Sequence, residues 1–362
     1  MTDAPDDTSN DWTAEETGPI DSRLYINLLA RRLPRAELHM HLVGALRPSQ
    51  VGTASASRGP DAALDYTDVS GFFARHKQIA SSFTDGAMIA KATERVLEDA
   101  VNSGCRHVEL SVNSLEFDGG PVAFDDILDA VAAAFADVGR RTGLTGGVII
   151  AMDRDSDPLR GMTTLEQAAA ARARGVPVLG IGNDGSPSRP LTEFAAVFAA
   201  ARRLGFRTTA HANKAHDIAD ALELGLDRID HAWELQGQPD LQRTIAAAGT
   251  PVTMAMTSCL LMLPGRFPTA ESFPFDELRR AGVNVTINVD DAGMFFTDSA
   301  QEYRLAADTY GYDGDALAEI AIASLEAAWI DDDRDNRISA WRREALALVV
   351  DSRDPQIGAT QS

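Results

Sequence analysis

Residues 191–233 read LTEFAAVFAAARRLGFRTTAHANKAHDIADALELGLDRIDHAW, and they carry the reading of the fold. LTEFAAVFAAARRLG is an Ala-rich helical pattern that ends in glycine, and FRTTAHAN (206–213) has the composition of a short strand. AHDIADALELG is helical again and ends in glycine, and RIDHAW (228–233) is a second strand. A glycine directly after a helical run is the usual close of a helix-to-strand connection. The same alternation extends in both directions, through RAELHMHL (35–42), HVELSVN (107–113), GGVIIAMDR (146–154), VPVLGIGND (176–184), PVTMAMT (251–257) and NVTINVDD (284–291). Eight strands separated by helices within about 260 residues predict an α/β protein, a (β/α)8 TIM barrel rather than an open doubly wound sheet.

One connection departs from this rhythm. About 65 residues separate the first two strands, with helical text in SGFFARHKQIASSF and AMIAKATERVLEDAVNSG. In a barrel this insertion emerges at the C-terminal mouth, so a helical lid over about 46–104 is expected. A helical pair without a role in the site is the alternative. The barrel domain is expected over 23–350, with a C-terminal tail at 351–362. The first 22 residues carry seven acids, no base and no apolar core, unlike a signal or transit peptide, and are expected to form a disordered acidic tail.

The chain has 362 residues, 44% of them hydrophobic, enough for a large core. Its 33 basic and 54 acidic residues give a net charge of −21, which argues against nucleic-acid and anionic membrane partners and for a small-molecule substrate. No run reaches the roughly 20 apolar residues of a membrane span. Cys105 and Cys259 are too few for a disulfide scaffold and lack zinc-ribbon spacing, so a reducing, cytoplasmic setting is expected. Neither substrate, pathway nor oligomeric state is written in the composition.

Barrel enzymes keep their reacting groups at the C-terminal ends of strands. His39 and His41, two apart on the first strand, point to the same side of it. His211 ends the fifth strand, His231 the sixth, and Asp290 with Asp291 the eighth. A lone HxH is often a pair of hydrogen-bonded core residues, but four of the seven histidines at strand ends, joined by an Asp pair, point to a metal site. Three histidines and one carboxylate suit one Zn2+ ion, with Fe2+ or Mn2+ as substitutes, better than Mg2+ or Ca2+. Such an ion presents hydroxide to an electrophilic carbon, and His231 and Asp291 are placed to orient the water and carry its proton. His76, His107, Glu109 and His216 are expected to be structural or solvated.

The set ELHMHLVGAL, GIGNDG, TTAHAN, RIDHA and NVDD, in this order, resembles the adenosine deaminase family of metal-dependent barrel amidohydrolases, over residues 35 to about 303. The resemblance implies that His39, His41, His211 and Asp290 bind zinc, that His231 and Asp291 position the attacking hydroxide, and that Gly185 lies along the substrate base. Four positions depart from the family. Val43 replaces the aspartate of HxHLDG, which contacts the nucleoside sugar. HANK replaces HAGE, whose glutamate donates a proton to the ring. TSCL (257–260) replaces a Pro-, Ser- and Asn-rich pattern, and Ser111 replaces an arginine.

Lys214 thus stands at the family's acid. A degenerate site, retained for binding alone, is one reading. Another is an active lysine, either a neutral base or Schiff-base nucleophile or a charged donor or anion clamp. The expectation is a divergent zinc hydrolase that deaminates a purine-like or other nitrogen heterocycle other than ordinary adenosine. The alternatives are a repurposed lyase or hydrolase using Lys214, and a catalytically silent ligand-binding homologue.

Overall fold

The computed structural model describes residues 22–47, 69–185, 188–330 and 332–351. The expected N-terminal tail up to residue 21, the stretch 48–68 of the insertion and residues 352–362 lie outside the described residues. Ser22, assigned to the tail, instead opens a helix, Ser22–Arg32. Eight strands follow: β1 (Arg35–His41), β2 (Cys105–Asn113), β3 (Thr145–Asp153), β4 (Val178–Asp184), β5 (Arg207–His211), β6 (Arg228–Asp230), β7 (Val252–Met254) and β8 (Val285–Ile287). Each pairs in parallel with the next, in the order β1 to β8. Helices cover the outside, so strands are buried on both faces, and all seven residues of β1 are buried. The architecture is the expected (β/α)8 barrel.

The ring closes beyond the regular part of β8. Asp290 N donates to His39 O at 2.9 Å, and His41 N donates to Asp290 O at 3.2 Å. Closure therefore falls on residues predicted to hold a metal. The sixth and eighth strands are shorter than their sequence patterns suggest, and the cause is local. RIDHAW ends as a regular strand at Asp230, where His231 and Ala232 turn to φ +67° and +45°, and NVTINVDD ends at Ile287, ahead of Asp290 at φ +61°.

The N-terminal end of the barrel is plugged. The Arg228 guanidinium lies 4.0 Å over the Trp329 ring and 2.8 Å from Glu109 Oε2, while Trp329 N donates to Glu109 Oε1 at 2.6 Å. Helix Gly314–Ala327 packs beside β1 and β8, and its Ser324 Oγ accepts from Ala36 N at 3.0 Å. Only the opposite end, where the strands finish, is left for chemistry. Within the insertion, helix Gly86–Asn102 begins at Asp85, whose carboxylate accepts from Met88 N at 2.8 Å, and it packs against helix Phe124–Thr142 as part of the outer ring. Helix Val69–Ala80 is extra to that ring. No helix among the described residues is long and apolar enough to cross a membrane.

Candidate active site

Alternation along β1 puts His39 and His41 on one face, their ring centroids 5.1 Å apart. His211, the last residue of β5, lies 5.0 Å from His39 and 5.3 Å from His41. His231 lies 4.7 Å from His39 and 4.5 Å from His211. Asp290 Oδ1 is 3.3 Å from His39 Nε2 and 3.4 Å from His41 Nε2. Two sets sharing His39, one with His211 and His231 and one with His41 and Asp290, have ligating atoms within 4.8 Å of each other. His39 Nε2 is buried and has no hydrogen-bond partner. An orphaned nitrogen among imidazoles and a carboxylate fits a borderline divalent cation.

Around these side chains lies a layer that aims them. Asp230 Oδ1 stands 3.4 Å from His39 Nδ1 and is itself fixed by the hydroxyls of Thr209 (2.6 Å) and Thr253 (2.7 Å), which donate to its two oxygens. With Nδ1 occupied by a carboxylate, Nε2 is the nitrogen turned to the pocket. His41 repeats the arrangement, with Nδ1 3.6 Å from Asp184, whose carboxylate accepts from Asn113 Nδ2 at 2.6 Å. Ser258 Oγ donates to Asp290 Oδ2 at 2.7 Å. Burial opposes the charge on Asp290, but the imidazoles of His39, His231 and His41 hold its carboxyl well below the usual range. Burial, and then charge on His39, push His231 down to about 4, so its imidazole is neutral at pH 7.

The backbone is strained where the ligands sit. Of five described non-glycine residues at positive φ, His231, Ala232 and Asp290 belong to the site, a conformation that costs of order 1–3 kcal/mol per residue and persists only where surroundings impose it. Glycine is required beside Asp291: a Cβ on Gly44 would stand 1.5 Å from Asp291 Oδ1. Gly185 has φ +79°, and a Cβ there would meet Asp153 Oδ1 at 2.7 Å.

Lys214 directly precedes helix Ala215–Glu223, at the rim. Its Nζ lies 2.9 Å from Glu234 Oε1 and 5.0 Å above the Trp233 ring, with its side chain 47% exposed. Glu234 Oε2 accepts from Ala215 N at 3.0 Å, and Arg266 covers the same indole at 4.4 Å. Val43 is fully buried in the main core. Asp291 is buried with its Oδ1 3.1 Å from His76 Nε2, and His76 Nδ1 is 2.7 Å from Glu116 Oε1. His76 was expected to be structural or solvated, and it is buried, beside Asp291. The other three follow expectation: Glu109 pairs with Arg228, His107 hydrogen-bonds Thr145 at 2.8 Å, and His216 is 75% exposed. The sequence reading also missed Asp230, Asp184 and Ser258, which were visible inside RIDHA, GIGNDG and TSCL but carry no spacing that assigns them a partner.

The family model described as adenosine deaminase matches residues 34–341. The chain belongs to the adenosine deaminase family. It is a metal-dependent aminohydrolase-type enzyme of the amidohydrolase superfamily. An adenine deaminase of Rhizobium rhizogenes is 27% identical over 317 residues, 84% of this chain and 97% of that protein. Among solved structures, an adenine deaminase from Arthrobacter aurescens superposes with a TM-score of 0.79 at 24% identity, covering 88% of this chain and 99% of its own, a likeness of fold. An amidohydrolase from Burkholderia ambifaria with bound Zn gives a TM-score of 0.77 at 26% identity, covering 93% and 97%.

Proposed function

We propose that this protein is a zinc-dependent hydrolase that deaminates a purine-like or related nitrogen heterocycle other than ordinary adenosine. The observation that carries this reading is the convergence of His39, His41, His211 and Asp290 at the barrel mouth with His231 and Asp291 beside them. In this reading His39, His41, His211 and Asp290 would hold the ion. When bound, Zn2+ supplies Lewis acidity that brings a water toward ionisation at neutral pH. His231, held neutral by burial, takes the proton from the attacking water, and Asp291 orients that water and the ring. A carbon–oxygen bond forms at the amine-bearing carbon, the bond to the exocyclic nitrogen breaks, and the proton leaves with ammonia. Buried, unpaired Cys105 and Cys259 suit a reducing cytoplasm.

The adenine deaminase relative supports a purine-like ring, and the departures argue against adenosine itself. Val43 and Lys214 each replace a carboxylate of the family pattern, and Lys214 adds a cation. Its contacts with Glu234 and with the face of Trp233 suit an anion clamp better than a base or Schiff-base nucleophile. We therefore assign Lys214 the holding of an anionic substituent on the ring. The test is ammonia release by zinc-replete protein from adenine, adenosine and purines bearing carboxylate or phosphate groups. At least one purine should turn over, with adenosine converted at least about 100-fold more slowly than by a typical adenosine deaminase, the lower range of what a lost proton donor costs. Efficient conversion of adenosine to inosine would overturn the specificity, and ligand-induced stabilisation without turnover of any purine would make the protein a silent binder.

A further inference from the structure

We propose that His76, carried by the insertion, is a positioning residue that fixes the carboxylate of Asp291, so that the site is complete only when helix Val69–Ala80 is docked. The inference rests on the aminohydrolase reading for the role of Asp291, and on geometry for the rest. Asp290 and Asp291 are neighbouring buried carboxylates, and two such groups repel each other. Asp290 is matched by the imidazoles of the metal set. Among the described residues Asp291 has one ion-pair contact, with His76 Nε2 at 3.1 Å, while His41 acts on it from farther away. The second nitrogen of His76 faces Glu116 at 2.7 Å, so the imidazole lies between two carboxylates and as an imidazolium would serve both.

Two observations separate this from an incidental contact. Asp291 Oδ1 is walled on one side by Gly44, where a Cβ would stand 1.5 Å away, and on another by His76 Nε2 at 3.1 Å, so protein atoms enclose this oxygen. In this proposal Oδ2 is the oxygen that would face a reacting ligand. The helix that brings His76 is also seated on the segment that carries Asp291: Phe72 stacks on Phe295 with centroids 5.7 Å apart and planes 6° from parallel, and the Phe72 ring lies 4.7 Å from that of His76. Phe295 N in turn donates to Asp291 O at 2.9 Å. The insertion thus reaches Asp291 both through the side chain of His76 and through the backbone.

The experiment compares His76→Phe, which keeps an aromatic ring against Phe72 and removes both nitrogens, with His76→Gln, which keeps a donor. In zinc-loaded protein, His76→Phe should lower kcat by about 10- to 100-fold, as loss of an outer-shell partner does, with KM and zinc content close to wild type. His76→Gln should recover part of the loss. Wild-type kcat in His76→Phe, or equal losses in both variants, overturns the proposal. Turnover by the wild type judges the aminohydrolase reading separately. Independent of turnover, amide exchange across Val69–Ala80 should rise in Asp291→Ala and in His76→Phe, and no further in the double variant. Unchanged exchange, or additive effects, overturns the coupling.

Discussion

Lys214 stands where the resemblance places the family's acid, and its surroundings accommodate a cation. Glu234, three residues after His231, receives the ammonium on one oxygen and the first amide of helix Ala215–Glu223 on the other. An ion pair this exposed contributes at most about 1 kcal/mol to stability, so its meaning lies in binding. Lys214→Ala should leave zinc content and melting temperature unchanged while raising KM for an anionic purine by about 10- to 100-fold, the worth of a charge-assisted hydrogen bond. Lys214→Glu should lose more on that substrate and gain on adenine, because a carboxyl returns to the family's acid position. If Lys214→Ala keeps the wild-type KM on every substrate that turns over, the residue is a surface replacement and the anion reading is wrong. The converging histidines were legible because two-residue spacing on β1 and strand-end positions are properties of the sequence. Asp230, Ser258 and Glu234 were not, because each acts on a residue brought from another strand or loop, and no local spacing records that pairing.

At the scale of elements, all eight strands could be read from alternation, and the misreadings sit where the chain leaves the β region to form the site. His231 and Asp290 are in left-handed conformations that hydrophobic pattern does not encode, which is why RIDHAW and NVTINVDD read as longer strands than they are. The insertion was legible as helical from composition, whereas the seating of Val69–Ala80 on the segment after β8 depends on an aromatic stack between residues 72 and 295. The loop after β1 and the loop after β8 approach so closely that Gly44 admits no side chain. Gly44→Ala must displace Asp291 or move a loop. We expect a loss of stability of about 1–3 kcal/mol, as for other overpacked sites, together with a fall in kcat at least as large as that of His76→Phe. The check is paired denaturation and turnover. A variant with wild-type kcat would show that Asp291 is free to move and that its position does not matter.

For the whole molecule, the consequence of this arrangement is where the barrel closes. Seven of the eight junctions between neighbouring strands are parallel ladders, those of β1 with β2 and β3 with β4 carrying register shifts, but the junction of β8 with β1 rests on the backbone of Asp290 against His39 and His41. The same residues supply side chains to the proposed metal set, His39 and His41 from one side of the seam and Asp290 from the other. An ion held by that set would join the first strand to the last, so its binding would reinforce a closure that the backbone already makes. A ligand at about 1,000 times its dissociation constant stabilises the folded state by about 4 kcal/mol. For a barrel of this size that corresponds to a melting temperature about 5–10 °C higher. Chelation should therefore lower the melting temperature by that amount, and amide exchange should rise first at β1 and the segment 285–291 rather than at β3 and β4. Asp290→Ala should reproduce the exchange pattern without a chelator and blunt any further response to one. Uniform exchange around the ring on metal removal would mean that the seam holds by backbone and packing alone, and that the ion serves only the chemistry.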